Sequence, residues 1–578
     1  MSKRRIGVYI CHCGGNISDY VDVEKVRQAI EGEDGVVVAK TTMFACSDAS
    51  QQEMIEDIKA NNLDGMVVSS CSPKLHLMTF RGVAKRAGLN PYTYDQVNIR
   101  EQDSWAHSDN PEAATNKAIA LVKAGIAKAS LSKPLEPIRI ETVPRVLVIG
   151  GGVAGLRASR ALADLGMTVY LVEKTDKLGG LVAGRKSVYT GGMDGAELVA
   201  SMVDDIRSRE NVQILTESEL VEKSGSVGDF TVKIASKDGN EFTFNVGAIV
   251  VATGASVYEP SEGEYGYGLP GVVTLPEFLD LVDGTEEGAG LQYNGRDIES
   301  VAYIYCVGSR AEEDDPSGRT YCSRYCCTAT MWAANLAAKR SEGLRQYHVY
   351  RDIRTYGKYE TIFESASKSG SFIVRFMPED PPEVVEGDEG LVVRVTDQLT
   401  ENQKLAIEAD LVVLVTGLTS RPNEKLESVL KLPVGNGGFY NEIHPKLRPV
   451  ETVIDGVFLA GSCQFPKSLS ESVASSLASV AKSSALLLKG FVELEPIVAS
   501  VDWDACLWCG DCAEACPYGA IGKTTTPDGK EVAEVNRALC KGCGACGPAC
   551  KVNAIELDGY TDAQVETAIE KMAALVTV

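Results

Sequence analysis

Two runs of four cysteines near the C-terminus constrain this chain more than any other feature. CLWCGDCAEACP supplies Cys506, Cys509, Cys512 and Cys516 in a C-x2-C-x2-C-x3-C-P run, and CKGCGACGPACK repeats the spacing at Cys540, Cys543, Cys546 and Cys550. Zinc ribbons use two C-x2-C pairs, not two runs of four. Paired runs are the layout of a two-cluster ferredoxin, where each [4Fe–4S] cluster takes three ligands from one run and its fourth from the other. Cys506, Cys509, Cys512 and Cys550 are therefore expected to hold one cluster, and Cys540, Cys543, Cys546 and Cys516 the other. The proline after the fourth cysteine is Pro517 in the first run and is replaced by Lys551 in the second, which leaves ligation intact. The tail, TDAQVETAIEKMAAL, reads as an amphipathic helix that docks or packs.

A second constraint lies at residues 144–174, PRVLVIGGGVAGLRASRALADLGMTVYLVEK. An apolar run, Val146 to Ile149, meets a glycine turn at Gly150, Gly151, Gly152 and Gly155; a helical stretch and a second apolar strand ending at Glu173 follow. Such glycines let the backbone approach a pyrophosphate at a helix N-terminus. The closing acid is placed to accept hydrogen bonds from a ribose. Gly150, Gly152, Ala154, Gly155, Glu173 and Lys174 are the expected cofactor-binding residues, extended by Gly180 and Leu181 in KLGGLVAGR. The buried strand from Ala248 leads to Thr253 and Gly254, and GVFLAGSCQ (456–464) supplies Gly461 and Ser462. A related strand runs from Leu411 to Gly417, and a small-residue helix from about Ser470 to Lys489. Three glycine-ended strands predict a two-dinucleotide-domain flavoprotein fold whose middle segment is inserted into the first domain.

That middle segment departs from the pattern. A pyridine-nucleotide domain should offer a second glycine fingerprint after its first strand. Here the strand VAYIY (301–305) runs into Cys306-Val-Gly308-Ser-Arg, followed by YCSRYCC with Cys322, Cys326 and Cys327. The helical run TATMWAANLAAKR comes next, and a helix N-terminus stabilises an anionic thiolate-ligated cluster. A [4Fe–4S] cluster on Cys306, Cys322, Cys326 and Cys327 is expected; a redox disulfide is the alternative, although no C-x-x-C occurs here. Cys463 is left over, as a substitute ligand or as packing beside the flavin. Lys467, in QFPK, is the candidate catalytic residue: a cation near the flavin that stabilises its anionic reduced ring. The competing reading is a solvated lysine.

Residues 1–130 read as three β–α units, with strands at Ile6–Ile10, Val36–Ala39 and Met66–Ser69 and helices near 22–31, 50–60 and 111–129. The alternation implies a parallel sheet. Cys11, Cys13, Cys46 and Cys71 each lie just beyond the carboxyl end of a predicted strand, so their loops share the edge where open α/β folds place ligands. A further cluster is expected there; the alternative makes Cys46 and Cys71 buried small hydrophobes and CHC incidental. His12 is read as spacing. The 578 residues have room for roughly three or four domains. The layout is α/β: an N-terminal domain (1–130), a proline-spaced linker (131–144), the flavin domain (145–495, its middle segment about 270–405) and the ferredoxin domain (496–578).

Seventeen cysteines without a signal-peptide pattern argue for metal or redox chemistry in a reducing, cytoplasmic compartment. No apolar run is long enough to cross a bilayer. The net charge of −23 disfavours nucleic acid and anionic membranes.

Taken together, the chain resembles the A-type subunits of heterodisulfide reductases and their relatives in anaerobic electron-transfer complexes. The resemblance spans essentially the whole length. It rests on GVYICHCGGNI, MFACSD, SSCSPKLH and NIREQDSWAH, on VLVIGGGVAGL, YCVGSR with YCSRYCC and LAGSCQFPK, and on the paired cysteine runs. It implies FAD in a thioredoxin-reductase-like domain and four [4Fe–4S] clusters: one on Cys11, Cys13, Cys46 and Cys71, one on Cys306, Cys322, Cys326 and Cys327, and two in the ferredoxin domain. Some members carry a further ferredoxin insertion before the middle motif; this chain, with no cysteine from Ser72 to Tyr305, lacks it. The implied partners are B- and C-type subunits, a hydrogenase or dehydrogenase module with a small electron-transfer protein, and ferredoxin, around a homodimer of this chain. The expected function is electron bifurcation or confurcation, the flavin's electron pairs being split between low- and high-potential acceptors. Two alternatives are a non-bifurcating electron-wiring scaffold and an NAD(P)H-linked oxidoreductase. The missing second fingerprint argues against the latter.

Overall fold

IGVYIC forms β1 (Ile6–Cys11), buried along its whole length, as a central strand of a parallel sheet must be. The computed structural model describes residues 4–189, 193–388 and 390–573. The chain divides into two units, Met1–Ile140 with Glu493–Val578, and Glu141–Val492.

In the first unit β1 lies between β2 (Val36–Thr42) and β3 (Gly65–Ser70), with β4 (Tyr94–Asn98) beyond β3. All three pairings are parallel. The covering helices are α1 (Val23–Ile30), α2 (Asp48–Ala60), α3 (Pro73–Ala87) and α4 (Pro111–Ser130). The sequence reading lacks α3 and β4. β4 is an edge strand, YDQVN, whose polar residues hide its period; α3 opens with Ser72 as N-cap and proline in its first turn. The expected linker contains a short strand, β5 (Ile138–Glu141).

The ferredoxin-type segment pairs Ala499–Val501 with Ile555–Leu557 and Ile521–Thr525 with Glu531–Val535. The tail is helical over Asp562–Ala573; its last two predicted residues lie outside the described ones. It packs on α4, with Lys128 Nζ 4.0 Å from the Tyr560 ring centre and Gln564 Nε2 3.3 Å from Ser132 Oγ. The first and last segments of the chain thus belong to one unit, where the sequence reading has two domains.

The second unit holds two parallel sheets. β6 (Arg145–Ile149), β7 (Thr168–Val172) and β8 (Val212–Leu215) pair in that order. The meander β9 (Ser218–Ser226), β10 (Asp229–Ser236) and β11 (Glu241–Val246) follows. β12 (Ala248–Val251) then inserts between β6 and the late strand Val457–Leu459. The second sheet interrupts the first, in the order Val272–Thr274, Leu411–Thr416, Ser300–Val307, Arg345–Tyr350, Phe372–Arg375. The middle segment therefore runs past the expected boundary at 405, because Leu411–Thr416 pairs with Ser300–Val307.

His348 sits in this second core, fully buried. Its Nδ1 lies 2.9 Å from the Tyr305 hydroxyl and its ring stacks on Tyr303 at 4.7 Å. Burial pulls its pKa down to about 3, whereas an exposed imidazole titrates near about 6.5. As pH falls through that window the unfolded chain binds a proton that the native chain refuses, so stability is lost with acid. Thermal stability should fall more steeply as pH drops below about 6.5 in the parent than in His348→Gln at equal metal content. An identical slope contradicts the assignment.

Candidate functional site

β6 delivers the chain into a turn that only glycine fits. Gly150 has φ +109°, and a Cβ there would stand 2.3 Å from the Ala252 carbonyl oxygen; one on Gly155 would stand 1.8 Å from that of Gly150. The turn leads into the helix α5 (Val153–Asp164) and opens on a cavity of about 550 Å³, the size of a cofactor pocket. Gly150, Gly152, Ala154, Glu173, Gly180 and Leu181 line it, as do Thr253, Gly254, Ser462 and Lys467. Three expected residues do not. Gly155 packs beneath the turn. Lys174 is exposed and pairs with Glu219 at 3.1 Å. Gly461 backs onto Ala154. Glu173 also holds the turn, accepting from Gly151 N–H at 2.7 Å and Thr175 N–H at 2.9 Å.

Lys467 is not a solvated lysine. Its Nζ lies 3.2 Å from the Gly461 carbonyl oxygen and 3.1 Å from Gln464 Oε1, and burial lowers its pKa against the opposing pull of Cys463. Cys463 is buried, its Sγ 3.2 Å from the carbonyl oxygen of Val251 and 3.3 Å from that of Ala460. It packs against β12.

Another part of the lining comes from the middle segment. Tyr325, Ala329 and Trp332 line the cavity, spaced as one face of the helix Cys326–Arg340. The Trp332 indole N–H is buried without a hydrogen-bond partner among the described residues. The glycine cradle at the cavity fits a dinucleotide such as FAD. The sequence reading takes TATMWAANLAAKR only as the helix behind a cluster and so misses this face.

Cys326 and Cys327 open that same helix. Cys326 interacts electrostatically with Cys327, Cys306 and Cys322, so the four middle thiols converge. Cys306, next to last in its strand, stands in the left-handed region at φ +68°, a strained conformation of the kind that collects at functional sites. Burial and the neighbouring Cys327 push Cys306 up to about 11, opposed by Arg310 and Arg351. The hydrogen bond from Cys326, a backbone hydrogen bond at Arg354 and the charges of Arg354 and Arg310 hold Cys327 down. These arginines carry positive charge to where thiolates would stand; the sequence does not show this, because Arg310 and the segment of Arg351 and Arg354 are about forty residues apart.

In the first unit Cys11, Cys13, Cys46 and Cys71 meet at the carboxyl edge of the sheet. Cys11 Sγ accepts from the N–H groups of Cys13 (3.2 Å) and Ala45 (3.3 Å). Cys71 feels Cys13 and Cys46. Arg100 Nη1 lies 3.3 Å from Cys13 Sγ and pairs with Glu101 at 2.7 Å. Cys46 is exposed. In the ferredoxin segment, the N–H groups of Ala533, Ala554, Ala499 and Ala520 point at Cys506, Cys550, Cys540 and Cys516 at 3.2–3.4 Å. Cys546 interacts with Cys540, Cys516 and Cys543, and Cys512 with Cys509 and Cys506. Lys551, next to Cys550, pairs with Asp511 of the first run at 2.7 Å. Among the described residues no set of three such groups is arranged to hold a single ion; a cubane instead gives each thiolate its own iron.

Residues 144–304 match the family model for pyridine nucleotide-disulphide oxidoreductases, and residues 505–554 that of the 4Fe-4S dicluster domain. The cofactors are FAD and [4Fe–4S] clusters. The chain is 37% identical to one of two iron-sulfur A subunits of the CoB–CoM heterodisulfide reductase of Methanopyrus kandleri, over 91% of this chain and 92% of that one. It is 35% identical to the A-type chain of the H(2):CoB-CoM heterodisulfide,ferredoxin reductase of Methanothermobacter thermautotrophicus, over 90% and 91%. Among solved structures, the thioredoxin reductase of Lactococcus lactis is 18% identical, covering 60% of this chain and 99% of that one, with a TM-score of 0.40.

Proposed function

Because the chain belongs to the family of heterodisulfide reductase A subunits, we propose that it splits electron pairs between a low-potential and a higher-potential acceptor, or joins them in reverse. As a family member it is an oxidoreductase component that transfers electrons within a complex of several subunits. FAD supplies the exchange of paired for single electrons, and the clusters supply one-electron steps.

The observation that carries the proposal is the helix Cys326–Arg340. Its first turn bears two candidate cluster ligands, while its 325/329/332 face forms a wall of the cofactor cavity. One rigid element thus sets the spacing between the two. Gly150, Gly152 and Gly180 would seat the pyrophosphate, and Glu173 the ribose. Lys467 would place a cation at the cavity wall. The cluster ligands would be Cys11, Cys13, Cys46 and Cys71; Cys306, Cys322, Cys326 and Cys327; Cys506, Cys509, Cys512 and Cys550; and Cys540, Cys543, Cys546 and Cys516. Arg100 beside the first set and Arg310, Arg351 and Arg354 beside the second would offset thiolate charge. B- and C-type subunits, a hydrogenase or dehydrogenase module with its small carrier, and ferredoxin are the proposed partners. Among the described residues no helix is long and apolar enough to cross a membrane.

In the second sheet, Ser300–Val307 carries Cys306 as its penultimate residue and runs into Gly308-Ser-Arg, with no second glycine fingerprint for a nicotinamide cofactor. Mixing anaerobic holoprotein with NADH or NADPH should therefore leave the flavin absorbance unchanged, while a reduced one-electron carrier bleaches flavin and clusters. Rapid bleaching by either nicotinamide contradicts the proposal. Lys467→Met should lower the two-electron flavin potential, because a nearby cation is worth about 1–4 kcal/mol and about 1.4 kcal/mol is about 30 mV for a two-electron couple. An unchanged potential removes Lys467 from the site.

A further inference from the structure

Two loops of the middle cysteine site end on one carboxylate. Arg324, between Cys322 and Cys326, stands in the left-handed region at φ +62° and pairs with Glu471. The Tyr356 hydroxyl donates to Glu471 at 2.7 Å, and the Arg324 guanidinium lies 5.8 Å from the centre of the Tyr356 ring. Tyr356 follows the segment of Arg351 and Arg354, which faces Cys306 and Cys327. Three residues on, the Tyr359 hydroxyl meets Ser470 Oγ at 2.6 Å.

Glu471 lies in the first turn of the helix Leu469–Leu487, in a capping box with Ser468. Its carboxylate accepts from Ser468 N–H at 2.9 Å. Burial opposes its ionisation, but the Ser468 N–H, the Tyr356 hydroxyl and Arg324 together hold its pKa below the usual range. The same turn supplies Lys467, Ser468, Leu469 and Ser472 to the cofactor cavity.

We propose that Glu471 is a positioning residue that clamps both loops of the middle cluster site to the wall of the flavin cavity and so fixes the separation of flavin and cluster. The proposal rests on the reading of Cys306, Cys322, Cys326 and Cys327 as a cluster site. The loops need such a tie: a non-glycine residue in the left-handed region persists only where its surroundings over-determine it. A carboxylate suits the task because one group accepts from a guanidinium, a phenol and a backbone N–H together.

The test compares anaerobic holoprotein carrying Glu471→Ala or Glu471→Gln with the parent. Glutamine keeps an acceptor for Arg324 and Tyr356; alanine does not. In Glu471→Ala, iron and FAD contents should be unchanged and amide exchange over 322–326 and 351–359 faster. Electron transfer from photoreduced flavin to the cluster should slow severalfold, because its rate falls exponentially with the separation that the clamp fixes. Glu471→Gln should restore exchange and transfer. Parent-like transfer in Glu471→Ala with both cofactors in place overturns the proposal, as does a glutamine variant as slow as alanine. Should Glu471→Ala lose iron, Tyr356→Phe carries the test: slowed transfer supports the clamp and a parent rate overturns it. A parent protein from which Cys326→Ala removes no iron overturns the cluster reading itself, and the clamp with it.

Discussion

Gly155→Val is expected to yield protein without FAD. Even a Cβ at this position falls 1.8 Å from the Gly150 carbonyl oxygen. The obstacle is backbone, in a turn already fixed at φ +109° and backed by Ala252, so no side-chain rotation relieves it. Overpacking of a fixed site costs about 1–3 kcal/mol or more, and here the displaced atoms are those that would cradle the pyrophosphate. FAD released on denaturation should fall from about one per chain to nearly none. Gly155 does not itself line the cavity, so the loss would come through the turn. The first unit contains none of these residues, and its iron should remain. Full FAD content in the valine variant contradicts this account of the turn.

Cys326→Ala should remove iron and leave FAD in place. With the four proposed cubane sites filled, the parent should hold about sixteen irons per chain and the variant about twelve. Alanine is the best helix former, so the helix Cys326–Arg340 and its Trp332 face should survive the substitution. Loss of FAD with all iron kept contradicts the assignment. A parent protein with only about eight irons would leave the ferredoxin pair alone.

Much of this was legible in the sequence, for identifiable reasons. The glycine turn and the paired cysteine runs are local: their spacing carries the geometry, and Gly150, Gly152 and Glu173 line the cavity. Cys11, Cys13, Cys46 and Cys71 could be placed on one edge because every parallel strand ends there. What escaped depends on contacts between distant residues. Gly155, Lys174 and Gly461 sit beside cavity residues in sequence yet face away, which spacing does not reveal. Trp332 was visible as a helix residue, but its place needed the knowledge that this helix lines the cavity. Arg310 and the segment of Arg351 and Arg354 converge from about forty residues apart, and the tail helix finds α4 across most of the chain length.

The central claim is that electrons leave the flavin as an unlike pair, which requires crossed one-electron potentials. An anaerobic redox titration of the holoprotein, followed by flavin absorbance and by electron paramagnetic resonance, measures this directly. Oxidised flavin should give way to fully reduced flavin in one two-electron step, with no flavin radical accumulating at any potential. A stable radical over a broad range of potentials would contradict it and make the flavin a relay between clusters.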